Sequence, residues 1–308
     1  MAPCETRLIL EEFKLRNLWF YHDRREDFYR AQWRWNPWIF IVYRLLAALY
    51  STGSLLAVIV TSVADPGVHN IMVYLTIWTY LLLTLYFVLA AILALFCHMY
   101  KDTHRNEVCI SVLAHSSHIK TGPLDNKSFV VEEDTLKTCS GQADVRNVSK
   151  DPTIDSSLSI SSSFKLPWYM KLTWLLANVV YVFAIIVTII YFSAVYPTLG
   201  MAGTNINDLN MHAFNTLLVM IDAVVVARPV RLLHFVDAVI YGLLYCVFSV
   251  IYWSADKTRN VLYKNVLDWN QPGIAIGVMA GLAIVVIPLL QFFHFLIFRL
   301  RLYLSERF

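Results

Sequence analysis

His212, Asn215 and Asp222 are spaced by three and then seven residues, which places them along one face of a helix. They interrupt an otherwise apolar run, Met211 to Ala227, and polar groups at membrane depth cost free energy unless satisfied. That face must therefore look into a bundle or a wet cavity. Arg44, in an earlier apolar run, lies at a depth similar to that of Asp222, and an ion pair between them is the simplest way to satisfy both. Such a pair is expected to be structural. At the other end, His212 lies roughly 3 Å and Thr76 roughly 9 Å inside the start of their respective runs, at the helical rise of about 1.5 Å per residue. A Thr hydroxyl beside a His base makes a nucleophile for acyl transfer, with Asn215 as orienter or oxyanion donor. The plainer reading of the same residues is a Thr bonded back to a carbonyl one turn earlier and a hydrated His.

These residues are positioned by apolar runs long enough to cross a bilayer. The 308-residue chain is 58% hydrophobic and only 15% charged, against about a quarter charged in soluble domains. A helix needs roughly 20 mostly apolar residues to span the hydrocarbon. Six runs meet or approach that length: Trp38 to Val63, Ile71 to Cys97, Leu172 to Tyr196, Met211 to Ala227, Leu232 to Trp253 and Gly273 to Phe298. Pro and Gly, or charge, close each one. The expected fold is all-α, an integral membrane bundle of six transmembrane helices. No cleavable leader follows Met1, and the five cysteines show neither CxxC spacing nor a disulfide framework.

Lys and Arg set the orientation. Twenty fall before the first run, in the segment from Lys101 to Lys165, between the fourth and fifth runs, or after the sixth; three fall on the opposite side (Lys257, Arg259, Lys264). This bias puts both termini in the cytoplasm of a multi-pass protein of the plasma membrane or an endomembrane. The chain then divides into a cytoplasmic amphipathic segment (1–37), helices 1–2 (38–97), a polar cytoplasmic loop (98–167), helices 3–6 (168–300) and a tail (301–308). The loop carries the run Ser156 to Ser163 and is expected to be a disordered linker, so its sequons at Asn126 and Asn147 would be silent. Its histidines, His98, His104, His115 and His118, lack helical spacing and acidic partners, and no residue set calls for a metal or other cofactor. Phe13 to Trp35 mixes aromatics with Arg, Asp and Glu, as suits a segment lying at the inner interface. Arg228 and Arg231, in a tight turn around Pro229, could grip anionic lipid headgroups or act as ordinary inner-side anchors. A net charge of +3 gives no argument for nucleic acid, so membrane lipids are the expected partners. The halves show no internal repeat, which argues against a transporter built on inverted repeats.

The runs His212-Ala213-Phe214-Asn215-Thr216-Leu217-Leu218-Val219-Met220-Ile221-Asp222 and Ala227-Arg228-Pro229-Val230-Arg231-Leu232-Leu233-His234-Phe235 resemble the rolling stone family of multi-pass membrane proteins. So do Val250-Ile251-Tyr252-Trp253 and Val266-Leu267-Asp268-Trp269-Asn270-Gln271-Pro272-Gly273. The resemblance covers most of the chain outside the polar loop. It implies a role in cell-surface or myoblast-type fusion processes, the family being associated with myoblast fusion in insect muscle. A more distant similarity reaches the androgen-induced family of six-helix membrane hydrolases, which cleave fatty-acid esters of hydroxy fatty acids with a membrane-embedded Thr and a His. Tyr74-Leu75-Thr76 resembles the segment carrying that Thr, and His212 falls where the His is expected. This resemblance implies a lipid-ester substrate. Ile77-Trp78-Thr79 departs from the pattern and leaves Thr79 as a rival nucleophile.

Overall fold

The computed structural model describes residues 11–64, 70–118, 166–198, 206–264 and 266–307, with the backbone alone for 101–118 and 198. The helices are α1 (Pro37–Ala64), α2 (Leu75–His118), α3 (Trp168–Val195), α4 (206–225), α5 (Leu232–Ala255) and α6 (Pro272–Arg307). Five are long and apolar enough to cross a membrane. The sixth crossing, α4, is a composite: Ile206–Leu209, a π turn at Asn210–Phe214 and an α-helix at Asn215–Val225. Its twenty residues reach about 30 Å, barely the hydrocarbon thickness.

The chain divides into two units, one made of Met1–Leu95 with Lys165–Phe308 and the other of Phe96–Phe164. The first is the bundle. Its central helix is α3, where Trp174, Ala177, Val180, Val182 and Ala184 are fully enclosed. Helix α3 packs on α4, α5 and α6. Small residues permit close approach: a Cβ on Gly242 of α5 would lie 3.2 Å from the Phe183 ring of α3. Facing outward are Leu46, Leu49 and Val60 of α1, Leu243, Leu244 and Ile251 of α5, and Ile284 and Leu289 of α6. So much exposed aliphatic surface suits lipid rather than water.

In the second unit the structure departs from the expected loop. Helix α2 runs on to His118. Residues 101–118 contain no Gly or Pro and carry apolar residues at helical spacing (Val108, Ile110, Val112, Leu113), so nothing in them stops a helix already propagating. The serine run and both sequons lie outside the described residues.

The N-terminal segment also differs from expectation. Instead of one amphipathic element it forms two short 3-10 turns, Leu15–Leu18 and Arg25–Phe28, folded across one end of the bundle. Ala31 bridges Val226, Trp33 Nε1 donates to Val224 O, Gln32 Nε2 donates to Ser305 Oγ, and Arg231 pairs with Glu12 at 2.9 Å. The N-terminal segment, the α4–α5 turn and the end of α6 thus meet at one end. Phe20 and Phe28 pack edge-on against Trp174, while Trp19 and Leu15 stay exposed.

The segment is organised by Asp27, which is buried among His22 (2.8 Å), Arg24 (3.0 Å) and Arg30 (3.0 Å). Burial alone would raise its carboxyl, but the His22 hydrogen bond and the two arginine charges outweigh that and hold it below the ordinary 3.8. A depressed folded-state value stabilises the fold above 3.8, and the contribution is lost as pH falls from there through the folded value. Amide-exchange protection of residues 20–33, corrected for intrinsic rates, is therefore expected to fade below about pH 4. Asp27→Asn should remove it at neutral pH. Protection unchanged in Asp27→Asn would show that the contacts with α4 and α6 suffice.

Candidate functional site

The polar face of α4 serves two separate centres, one at each end. At the basic end, Asp222 is completely buried and accepts hydrogen bonds from Arg44 Nη1 (2.7 Å), Tyr43 (2.9 Å), Tyr86 (2.5 Å) and Tyr181 (2.5 Å). Helices α1, α2 and α3 thus converge on one carboxylate of α4. Arg228 completes the centre: its Nη1 donates to Tyr86 OH at 2.7 Å, and its guanidinium lies over the Tyr86 and Tyr181 rings at 5.3 and 4.8 Å. Arg301 of α6 donates to Ala223 O and Arg228 O, the former a carbonyl at the negative end of α4. Three buried arginines therefore surround one carboxylate, with aromatic faces and helix-end carbonyls offsetting the remaining charge.

That geometry corrects the lipid-gripping role expected of Arg228. It is 6% exposed and points into the bundle, because the chain after Val226 turns back beneath the tyrosines instead of projecting outward. Arg231 is partly buried against Glu12 and Gln291, so its charge and backbone are both used within the protein.

At the opposite end lies a cavity of about 900 Å³, within the usual range for ligand sites. All six helices contribute to its mostly aliphatic wall. Thr76, in the first turn of α2, and His212, in the π turn of α4, both line it. The His212 ring stacks flat on Tyr191 of α3, with centroids 3.6 Å apart, and its Nδ1 is buried without a hydrogen bond. The three π turns among the described residues, Tyr191–Val195, Asn210–Phe214 and Leu282–Val286, all border this cavity. Such turns widen a helix by one residue and recur at functional sites. Thr61, Asn207, Asp208 and Lys264 add polar groups to the lining.

Two sequence alternatives are resolved by position. Thr79, the rival nucleophile, is 1% exposed, lies 3.3 Å from Tyr241 OH and is not part of the cavity wall. Asn215 does not face the cavity as orienter or oxyanion donor. Its Nδ2 donates to Met211 O (2.8 Å), and its Oδ1 accepts from Thr216 N (2.5 Å) and Thr188 Oγ1 (3.2 Å). Thr188 also donates to His212 O. Asn215 and Thr188 thus satisfy the backbone groups that the π turn displaces, and their role is to hold His212 in place. The tyrosines of both centres gave no distinct signal in the sequence: Tyr86, Tyr181 and Tyr245 are single mid-span residues, and Tyr191 lies near a helix end, as interfacial aromatics do. Among the described residues no cluster of His, Cys, Asp and Glu could hold a metal.

Comparison with known proteins agrees with the architecture. The family model described as Protein rolling stone matches residues 142–308, more than half of the chain. The Protein rolling stone of Drosophila melanogaster is 20% identical over 283 residues, which cover 90% of this chain and 84% of that protein. No solved structure matches.

Proposed function

The chain belongs to the rolling stone family of multi-pass membrane proteins, and from that premise we propose that it hydrolyses a lipid ester in the cavity, with Thr76 as nucleophile and His212 as base. The supporting observation is that one mostly aliphatic cavity carries both residues on its wall. Such a wall takes acyl chains, and the few polar groups can orient an ester. Thr76 Oγ1 attacks the carbonyl carbon while His212 accepts its proton and passes it to the departing alkoxide. Water then cleaves the acyl-threonine with His212 again as base, returning the hydroxyl and releasing a fatty acid. The excess of Lys and Arg at the opposite end supports a cavity that opens toward the outer leaflet. Lipid turnover there would link the chemistry to the cell-surface and fusion processes associated with the family.

The test is labelling of the purified full chain in detergent by a fluorophosphonate probe, which reports activated hydroxyl nucleophiles. Wild type is expected to label and Thr76→Ala to lose labelling entirely while eluting as a folded species. A folded wild type that does not label would refute the hydrolase and favour a non-enzymatic role at the cell surface.

A further inference from the structure

The hydrolysis proposed above develops negative charge on the ester oxygen, and Asn215 is turned away from it. Two phenols converge beside Thr76 instead. The Leu75 N–H, in the first turn of α2, points at both Tyr245 OH (3.0 Å) and Tyr263 OH (3.1 Å). Tyr245 commits its own proton to Val73 O at 2.9 Å. Among the described residues the Tyr263 hydroxyl donates to no backbone carbonyl, so its proton is free to turn, and Tyr263 and Thr76 both line the cavity. Tyr263 sits on the α5–α6 connection, where Leu267 N donates to Tyr263 O at 2.8 Å and the ring packs edge-on against Tyr74. Its phenol is thus held at the cavity wall next to the nucleophile. Burial pushes that phenol above its ordinary value, which keeps the proton in place at neutral pH.

We propose that Tyr263 is the oxyanion donor of this site. As Thr76 Oγ1 bonds to the carbonyl carbon, the C=O π pair moves onto oxygen and the Tyr263 O–H turns to that oxygen. His212 takes the Thr76 proton. When the C=O re-forms and the alkoxide leaves with that proton, the phenol returns to its resting place beside the Leu75 N–H. Tyr263 stays protonated throughout and supplies only a hydrogen bond. The assignment rests on the Thr76/His212 reading and extends it by one residue.

The same fluorophosphonate labelling separates the two. With wild type labelled and Thr76→Ala unlabelled, Tyr263→Phe is expected to label about a hundredfold more slowly, the scale of losing one oxyanion donor. Its unfolding temperature should stay near that of wild type, because Tyr245 still accepts the Leu75 N–H. Labelling within twofold of wild type would overturn the role of Tyr263 and leave Thr76/His212 standing, whereas an unlabelled wild type overturns both. Should Tyr263→Phe unfold, 3-fluorotyrosine at position 263 decides the matter. Its more acidic phenol is expected to move the alkaline limb of the labelling profile to lower pH, and an unmoved limb overturns the proposal.

Discussion

Asp222→Asn is expected to be the most damaging single substitution at the basic end of the bundle, lowering stability by about 3–5 kcal/mol. The amide keeps the shape but removes the only carboxylate among the described residues that faces Arg44 and Arg228, leaving two buried cations without an anionic partner there. It also takes the charge from three phenol hydrogen bonds, and hydrogen bonds to a charged group are the stronger kind. In a chain of this size the loss corresponds to a fall of roughly 10 °C in the unfolding temperature. Arg44→Met should cost less, since Asp222 would retain Arg228 nearby and all three phenols. The double variant should recover only part of the loss, because removing Arg44 does nothing for Arg228. Thermal unfolding in detergent, followed by tryptophan fluorescence, ranks the variants. If Asp222→Asn unfolds within a degree or two of wild type, the centre is not what holds α1 to α4 together.

The second large effect concerns turnover rather than folding. His212→Ala is expected to slow both labelling and hydrolysis of a long-chain ester by about 10²- to 10⁴-fold, the range that a positioned general base contributes. Stability should change little, because His212 Nδ1 makes no hydrogen bond and the main loss is stacking on Tyr191, about 1 kcal/mol. Asn215→Ala should behave in the opposite sense. It removes the amide that satisfies Met211 O and Thr216 N, so it should destabilise α4, and activity should fall only as far as His212 moves. Hydrolysis by His212→Ala within threefold of wild type would mean that Thr76 draws its base from elsewhere or that the ester is cleaved by a contaminant. Thr76→Ala as a parallel control separates those two outcomes.

How far these centres could be read from the residues differs between them. The crossings were legible because apolar runs of bilayer length are imposed by the need to satisfy every backbone group inside hydrocarbon. Arg44 and Asp222 could be matched because two charges at one depth have few other ways to be satisfied. Arg228 was misplaced because a basic residue beside Pro229 looks like an interfacial anchor; only the path of the chain after Val226 turns it beneath Tyr86 and Tyr181. Asn215 shares the face of His212 in a regular helix, but where the π turn ends its amide is taken up by the backbone groups of Met211 and Thr216. Tyr191, Tyr245 and Tyr263 were invisible for a different reason. Tyr191 lies near a helix end and Tyr263 on the α5–α6 connection, where tyrosine is the usual interfacial residue, Tyr245 lies mid-helix among apolar neighbours, and convergence of the three from separate elements is a tertiary fact. The last turns of α2 read as loop because residues 101–118 are polar, although nothing in them breaks a helix.

The three π turns have a consequence for how such a protein can change over generations. A π turn is what remains when one residue is added to a helix without rotating the faces on either side of it. Inserted into a regular helix, one residue would swing everything beyond it by about 100°, and α4 would lose either Asp222 or His212 from its shared face. Held in a bulge, the extra residue leaves the Asp222 centre in register while the cavity wall gains a position. Each of the three bulges is thus a place where the lining can be lengthened, shortened or re-lettered while the far end of the bundle stays as it was. Relatives that keep the arginines and tyrosines around Asp222 are free to differ in what the cavity accepts.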